Sequence, residues 1–523
     1  MSTSTSSSAP ADRGQQPVLA SQRAKADGET RKAAFFPLGY KEGFSQWWTS
    51  ITPAMAEHNV MAFIPYLQKP PTHTQTGSAP VSASQSSMSL NTDPAGATTP
   101  VRTTSITDPY GPRSWHSNLV QLTGKDRALN EFSVERVGEE VEENLVILHG
   151  YGAGLGFFYK NFEGLSRVKG WKLYALDMLG MGRSSRPPFR IHAKDHQGKI
   201  TEAENWFVDA LEEWRVLRKI EKFTLLGHSM GGYMAVAYSL KYPGHLNKLI
   251  LASPVGIPED PYAVQADMPE PGESTMANEF IQDGQDDIVN PNGNTKSAGD
   301  NNNLFNARSK AGDKKPNPDA PPRRPLPKWL TYLWDANISP FSVVRWTGPL
   351  GPRFVSGWTS RRFSHLPNNE SEALHNYAYS LFRQRGSGEY ALAYILAPGA
   401  FARSPLIRRI HGVGRQPIIP DSDGAQGSKK ETGYPVVLMY GEKDWMDIAG
   451  GYAAEQKLKE EKARALKAAT EEEKKKENGS AKVVIIKNAG HHLYLEGWEE
   501  FNEVMREEME ETKKHTKQFS DKS

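Results

Sequence analysis

The chain of 523 residues is long enough for one large α/β domain with insertions or for two or three smaller domains. Its 63 basic and 61 acidic side chains leave a formal charge of +2, which argues against a nucleic-acid partner because no net field would hold a phosphate backbone. The lack of cysteine excludes disulfides and thiolate chemistry, and no apolar run approaches the roughly 18 residues of a spanning helix, so we expect any membrane association to be peripheral.

The N-terminal region has three compositional zones. Residues 1–33 are rich in Ser and Thr with scattered basic residues, which is typical of a disordered tail and compatible with a weak targeting segment. Residues 34–69 concentrate aromatic residues, including the adjacent Trp47 and Trp48. Two interpretations of that segment stay open: contact with a bilayer interface, and packing onto the body of the protein. Residues 70–104 have almost no charge and no apolar period, which predicts a flexible linker.

Residues 105–257 alternate short apolar runs with helical patterns. The runs "NLVILHG" (144–150), "KLYALDM" (172–178), "FTLLGHS" (223–229) and "KLILASP" (248–254) predict buried strands, and "LVQLTG" with "EFSVERV" predicts a strand pair before them. In "AENWFVDALEEWRVLRKI" the apolar residues recur at three and four, as on a helix. The alternation predicts an α/β fold with a mainly parallel sheet covered by helices on both faces.

The alternation stops at Pro258. We expect residues 258–432 to form an inserted helical lid with a disordered tract at about 270–325, where "NPNGNTKSAGDNNN" is of low complexity. The strand pattern resumes with "YPVVLMYGEKD" (434–444) and "AKVVIIKNAG" (481–490), joined by a long charged helix. Residues 433–515 are thus predicted to complete the core, and residues 516–523 to form a tail.

Four turns at the ends of predicted strands carry reactive chemistry. "GHSMG" is a G-x-S-x-G pattern between a strand and a helix, which predicts that Ser229 is a nucleophile on a tight turn. "LHGYGAGLG" is a Gly-rich loop suited to an oxyanion hole, and we expect its donors to be the backbone N–H groups of Tyr151 and Met230. We expect His149 to be a structural hydrogen-bonding residue of that loop.

The last two turns supply an acid and a base. "YGEKDWMD" offers Asp444, with Asp447 as the alternative acid or as a helix cap, and "AGHH" offers His491. The chain order of serine, acid and histidine is that of an α/β-hydrolase triad. No metal is predicted, because the adjacent histidines lack ligand spacing, and no cofactor is predicted, because a dinucleotide fingerprint is missing.

Six segments together resemble a lipid-acting branch of the α/β-hydrolases. They are "HGYGAGLGFF", "DMLGMGRSSRP", "GHSMGGYMA", "SGEYALAYILAPGAFARSPL", "YGEKDWMD" and "AGHHLYLE", and the resemblance covers about residues 115–257 and 370–510. The branch includes the lipid-droplet coactivator of adipose triglyceride lipase, N-acylphosphatidylethanolamine hydrolases and the fungal mitochondrial cardiolipin-specific phospholipases. "GEKDWMD" and "HHLYLE" are most similar to the last group.

The resemblance implies a serine phospholipase that deacylates cardiolipin at a peripheral membrane surface of the mitochondrion, with the lipid droplet or cytoplasm as alternatives. The branch carries an H-x4-D signature that has been linked to acyl transfer onto lysophosphatidic acid. In this chain the corresponding pattern is His491-x4-Glu496, with Glu in place of Asp. The alternative function of an acyl-CoA-dependent acyltransferase therefore stays open. A membrane-bound lipase coactivator is a third alternative, although the chain retains Ser229. Candidate phosphate contacts are Arg361, Arg362, Arg383 and Arg385.

Overall fold

The computed structural model describes residues 37–49, 51–65, 110–111, 113–260, 263–264, 337–398, 400–418 and 429–520. The predicted tail (1–33), linker (70–104) and low-complexity tract (about 270–325) lie outside the described residues.

One eight-stranded sheet organises the fold, in the spatial order β1-β2-β4-β3-β5-β6-β11-β12. Its strands are β1 (Arg113–Gln121), β2 (Ala128–Arg136), β3 (Glu143–Leu148), β4 (Trp171–Leu176), β5 (Phe223–His228), β6 (Leu246–Ala252), β11 (Pro435–Gly441) and β12 (Ser480–Ile486). β2 is antiparallel to both of its neighbours, and all other pairs are parallel. Two small pairs complete the strands: β7 (Leu396–Ala397) with β8 (Phe401–Ala402), and β9 (Pro417–Ile418) with β10 (Lys429–Lys430).

Helices cover the sheet, as the buried central strands require. β5 and β11 are buried at every position because apolar helix faces cover both sides of the sheet. The helices are α1 (Tyr40–Thr49), α2 (Pro53–Met61), α3 (Tyr159–Leu165), α4 (His196–Leu217), α5 (Met230–Lys241), α6 (Pro340–Trp346), α7 (Gly351–Arg362), α8 (Asn368–Phe382), α9 (Leu392–Ile395), α10 (Leu406–Arg409), α11 (Ile448–Ala468), α12 (Glu471–Lys476), α13 (Leu493–Glu496) and α14 (Trp498–Ser520). The predicted α/β fold with its mainly parallel sheet is confirmed.

The helices α6 to α10 lie between β6 and β11 in the chain. We call the described residues 337–418 the insert. Its side chains Trp358, Phe363 and Tyr377 belong to the same hydrophobic core as the sheet. Tyr377 comes so close to the loop after β3 that a Cβ on Gly154 would lie 2.4 Å from its hydroxyl. The insert is therefore packed over that loop as part of one core.

The two N-terminal helices differ in their surroundings. Ala56, Val60 and Ile64, on and just after α2, are buried in the main core, so this half of the segment packs onto the body of the protein. Glu57 is buried beside them and forms an ion pair with Arg183. In α1, by contrast, the aromatic side chains Tyr40, Phe44 and Trp48 are exposed. Packing onto the body of the protein, one of the two interpretations of residues 34–69, therefore describes α2. Contact with a bilayer interface, the other interpretation, stays a prediction for α1.

Two boundaries near the C-terminus differ from expectation. The predicted single charged helix is divided into α11 and α12, because Thr470 and Glu473 form a capping box that starts a new helix. α14 continues to Ser520, so the prediction of a tail from residue 516 is wrong. Lys517 forms a surface ion pair at 2.9 Å with Glu142, the residue before β3, so the last turns of α14 lie against the body of the protein. Among the described residues, no helix is both long enough and apolar enough to cross a bilayer.

Candidate active site

The strand β5 and the helix α5 are joined by a single residue, Ser229. Its φ of 51° and ψ of −116° are unusual for a side chain other than glycine, and the turn is tight enough to require small neighbours. A Cβ on Gly227 would lie 2.3 Å from the carbonyl oxygen of Gly231, and one on Gly231 would lie 2.6 Å from that of His149. Both glycines of G-x-S-x-G are therefore required, because no larger residue fits on either side of the strained serine.

Ser229, His491 and Asp444 are brought together at the carboxyl edge of the sheet. The parallel register aligns His228 with Ala252 and Ala252 with Met439, so the loops after β5, β6 and β11 leave at one edge. His491 Nε2 lies 3.0 Å from Ser229 Oγ, and His491 Nδ1 lies 3.2 Å from Asp444 Oδ1. A neutral imidazole that donates from Nδ1 can accept the serine hydroxyl proton at Nε2, which is the contact that general-base catalysis needs.

Asp444 is held as a carboxylate in a fully enclosed position. It accepts hydrogen bonds from the Met446 N–H at 3.0 Å and from the Ser253 hydroxyl. Burial alone would raise its pKa, but the His491 hydrogen bond and charge, together with these donors, lower the pKa below the ordinary value. Asp447 is occupied elsewhere, since its carboxylate caps α11 by accepting the Ala449 N–H at 3.0 Å. The acid in contact with the histidine is Asp444.

The two predicted oxyanion donors belong to the segments that meet at the serine turn. Met230 is the first residue of α5, where helix N–H groups have no partner within the helix. Tyr151 follows Gly150, and a Cβ on Gly150 would lie 3.0 Å from the Cβ of Ser229. The loop after β3 thus runs directly beside the serine, where the predicted oxyanion hole would lie.

His149 has the hydrogen bonds of a structural residue. Its Nδ1 donates to the Gly150 carbonyl at 2.7 Å, and its Nε2 accepts the Met178 N–H at 3.1 Å. Burial lowers the pKa of His149 to about 4, so the ring is neutral and both nitrogens are in use. Asp177 supports the same loop by accepting the Leu155 N–H at 2.7 Å. It also accepts the backbone N–H of Arg183 at 2.7 Å.

Three residues at the site were not anticipated in these roles. His228 is fully buried, and its Nε2 donates to the His491 carbonyl at 3.0 Å, which ties the serine turn to the histidine loop. Ser253, the first residue after β6, donates to the acid, and Glu496 accepts the Gly490 N–H at 2.7 Å just before the histidine. The sequence carries only a faint signal for them: His228 lies within the G-x-S-x-G pattern, Ser253 within the predicted strand run "KLILASP", and Glu496 within the segment "AGHHLYLE".

The four candidate arginines lie in different surroundings. Arg361, Arg383 and Arg385 are exposed side chains near the carboxyl ends of α7 and α8. Arg362 is half-buried and is close enough to the histidine loop for its charge to act there. After burial, the positive charge of Arg362 is the largest cause that lowers the pKa of His492. Of the four candidates, Arg362 is thus the one whose charge acts on the histidine loop.

The site is closed in this conformation. Ser229 is 6% exposed, and His491 and Asp444 are buried as well. Above the loop after β3, the ring of Phe341 from α6 stacks on Tyr151 with 5.1 Å between centroids. The serine is therefore shielded from solvent, and a ring of the insert covers the neighbouring loop.

Comparison with known proteins agrees with this architecture. A probable 1-acylglycerol-3-phosphate O-acyltransferase of Oryza sativa is 32% identical over 327 residues, which cover 61% of this chain and 60% of that protein. The 1-acylglycerol-3-phosphate O-acyltransferase ABHD5 of Rattus norvegicus is 29% identical, over 69% of this chain and 76% of the relative. A human (lyso)-N-acylphosphatidylethanolamine lipase is 26% identical, over 69% of this chain and 78% of the relative.

This chain matches only about 60% of the length of the rice protein. A family model described as the alpha/beta hydrolase fold matches residues 143–497, from β3 to the turn before α14. This range contains the serine, the acid and the histidine. The chain belongs to the alpha/beta hydrolase fold family.

Proposed function

We propose that the protein is a serine phospholipase that hydrolyses a fatty acyl ester of a glycerophospholipid, with cardiolipin as its substrate. The observation that carries the proposal is the 3.0 Å contact between Ser229 Oγ and His491 Nε2 on a strained turn. The backbone conformation of Ser229 is unfavourable, and its neighbouring glycines are required by close contacts. Strained backbone of this kind is concentrated at functional sites, which supports a chemical role for the serine.

In the proposed reaction His491 takes the proton of Ser229 as Oγ attacks the ester carbonyl. Asp444 stabilises the imidazolium, and the N–H groups of Met230 and Tyr151 stabilise the oxyanion, each by roughly 3 kcal/mol. His491 then protonates the leaving lysophospholipid oxygen, which leaves an acyl-serine. Water, deprotonated by the same imidazole, releases the fatty acid and restores the hydroxyl.

The proposal of a phospholipid substrate is supported by the names of the relatives and by the position of Arg362 in the insert. The plant, rat and human relatives are named for reactions on acylated phosphate-containing lipids. The proposal of cardiolipin rests on the resemblance of "GEKDWMD" and "HHLYLE" to the fungal cardiolipin-specific phospholipases. Arg362 is the proposed phosphate contact, because it is the candidate arginine whose charge acts on the histidine loop.

Lipid mass spectrometry tests the proposal. Purified wild type and Ser229→Ala are incubated with bilayers that contain phosphatidylcholine, phosphatidylethanolamine and cardiolipin. We expect monolysocardiolipin and free fatty acid from the wild type and neither from Ser229→Ala. The matched control is Ser239→Ala, a buried serine of α5 that bonds the Tyr434 hydroxyl at 2.6 Å and should keep activity. Absence of any lysolipid with the wild type refutes the phospholipase.

An acyl-CoA-dependent lysophosphatidic acid acyltransferase is the second candidate, favoured by the names of the rice and rat relatives. The same acyl-serine would form from acyl-CoA, with the C–S bond broken and the CoA thiol released after protonation by His491. In the second step the lysolipid hydroxyl, deprotonated by His491, would replace water and take the acyl group, which restores the serine hydroxyl. Labelled acyl-CoA with lysophosphatidic acid distinguishes the two. Labelled phosphatidic acid with negligible free fatty acid supports the acyltransferase, whereas labelled fatty acid alone supports the hydrolase.

We propose that the protein acts at the surface of the mitochondrial inner membrane. The proposal is supported by the resemblance and by the basic residues of the N-terminal stretch, which are Arg13, Arg23, Lys25, Arg31 and Lys32. Fractionation should recover the protein with mitochondrial membranes and release it with alkaline carbonate. Recovery with lipid droplets or in the cytosol contradicts this location.

A further inference from the structure

We propose that Tyr377 of the insert and Glu57 of α2 are positioning residues for the proposed hydrolysis, because together they hold the backbone that carries the oxyanion donor Tyr151. The inference deepens the proposed function and rests on it for the chemistry at Ser229. We call residues 149–156 the oxyanion loop; they run from the end of β3 into the short 3-10 helix Leu155–Phe158. The helix α2 lies outside the range 143–497 that the family model matches, so this role is additional to the family fold.

The side chain of Tyr377 packs directly on the oxyanion loop. A Cβ on Gly154 would lie 2.4 Å from the Tyr377 hydroxyl, and one on Gly156 would lie 2.8 Å from its ring, so both glycines are required by this contact. The Gly156 N–H donates to the Tyr377 hydroxyl at 3.3 Å, and Tyr377 is fully buried. The glycine-rich pattern of the loop therefore serves its contact with the insert as well as its approach to the serine.

The carboxylate of Glu57 orients the Tyr377 hydroxyl. That hydroxyl donates to Glu57 Oε2 at 3.3 Å, and the same oxygen accepts a hydrogen bond from Asn130 Nδ2 at 3.0 Å. The other carboxylate oxygen forms the ion pair with Arg183. A hydroxyl that donates its proton to a carboxylate keeps its lone pairs for the Gly156 N–H. The chain of hydrogen bonds thus runs from α2 through the insert to the oxyanion loop.

A second support reaches the same loop from the sheet. Asp177 accepts the Leu155 N–H at 2.7 Å, and Asn130 Nδ2 donates to Asp177 Oδ2 at 2.8 Å as well as to Glu57. The carboxylates of Glu57 and Asp177 are therefore joined through one amide, and both act on the downstream end of the loop. β3 fixes its upstream end, and Tyr151 lies between the two.

The stability of α2 alone does not account for this polar group. The apolar side chains of α2 already pack into the main core. The Arg183–Glu57 pair is buried, with side chains 10% and 3% exposed, and a buried ion pair is in general no more stabilising than apolar side chains of similar volume. The contacts of Glu57 with Tyr377 and Asn130, which both lead to the oxyanion loop, give the pair a role at the site.

Variants of the two residues in the full chain test the inference. Tyr377→Phe keeps the ring but removes the hydroxyl, so it should lower kcat for a soluble fatty acyl ester by about tenfold or more, with KM within about twofold. Glu57→Ala should have a similar effect. Glu57→Gln keeps an acceptor for the hydroxyl and should retain kcat within about threefold. The double variant Tyr377→Phe with Glu57→Ala should lose little more than either single variant, because both act through one bond.

The matched control is Tyr238→Phe. It also removes a buried tyrosine hydroxyl that donates to a glutamate, here Glu212 at 2.7 Å, but near the end of α5 that is remote from Ser229. This variant should keep the kcat of the wild type. Melting temperatures of all variants show that each is folded.

Two further measurements separate positioning from a loss of folded protein. A long-chain alkylboronic acid forms a tetrahedral adduct with the serine and so resembles the transition state. Its Ki should rise in Tyr377→Phe by about the factor by which kcat falls, whereas a smaller folded fraction would leave Ki unchanged. Hydrogen exchange of peptides covering residues 149–158 should be about tenfold faster in Tyr377→Phe and Glu57→Ala, with peptides of α5 unchanged.

The outcomes distinguish this inference from the proposed function. Unchanged kcat in both Tyr377→Phe and Glu57→Ala, with melting temperatures near that of the wild type, overturns the positioning role, as does a lowered kcat with an unchanged Ki. If the wild type hydrolyses no ester, the proposed function fails, and hydrogen exchange then decides the inference by itself. Faster exchange of residues 149–158 supports the hold on the loop, and unchanged exchange overturns it.

Discussion

Replacing Asp444 by Asn tests the assignment of the acid, because Asp447 stands only three residues further along the chain. In the structure Asp444 is buried and contacts His491 Nδ1 at 3.2 Å, whereas Asp447 caps α11. Asn at 444 keeps the size of the side chain but removes the charge that stabilises the imidazolium. It also permits the wrong tautomer of the histidine.

We expect Asp444→Asn to lower kcat by roughly 10³- to 10⁴-fold, as loss of the acid does in serine hydrolases. This corresponds to about 4 to 5.5 kcal/mol of transition-state free energy. KM should change little, because Asp444 lies behind the imidazole and does not touch the substrate. The matched variant Asp447→Asn should keep kcat within about twofold and stability within a few tenths of a kcal/mol, since Asn caps a helix as well as Asp does.

The assay is steady-state hydrolysis of a soluble fatty acyl ester, with thermal melting followed by circular dichroism. Melting confirms that each variant is folded before its kcat is interpreted. The reasoning is refuted if Asp444→Asn retains more than about a tenth of wild-type kcat, or if Asp447→Asn loses as much activity as Asp444→Asn.

Three further changes have distinct expected results. Ser253→Ala removes a donor to the buried carboxylate and should lower kcat about tenfold with the fold intact; an unchanged kcat contradicts the support role. Gly150→Ala would place a Cβ 3.0 Å from that of Ser229 and should lower kcat by about tenfold or more, whereas Gly357→Ala, with nothing within 4 Å, should leave kcat unchanged. Burial raises the pKa of Glu57 from 4.5 to about 7, despite its ion pair with arginine. A carboxyl whose pKa is higher in the folded state than in the unfolded state stabilises the fold at low pH. As the pH rises from about 4.5 to about 7, the free energy of unfolding should therefore fall by about 3 kcal/mol. The melting temperature of Glu57→Gln should therefore fall less between about pH 5 and 8 than that of the wild type. Equal falls in melting temperature would refute the raised pKa of Glu57.

Local patterns in the sequence were sufficient for the strands, the serine turn and the order of reactive residues. Apolar runs such as "FTLLGHS" and "YPVVLMYGEKD" identify β5 and β11, because a strand covered on both faces must be apolar throughout. G-x-S-x-G identifies the turn at Ser229, because its glycines are required by contacts within a few residues and by the neighbouring strand end. The extent of α14 was not evident, because charged residues favour a helix and a solvated tail alike.

The sequence by itself determined that a serine, an acid and a histidine follow strands of one α/β sheet. Only the tertiary structure decided that Asp444 rather than Asp447 meets His491, that Ser253 and His228 support the group, and that Phe341 covers Tyr151. The reason is physical: secondary structure follows from periodicity over neighbouring residues, whereas these contacts join side chains that are far apart in the chain. They depend on strand order, register and the path of each loop, which no local pattern encodes.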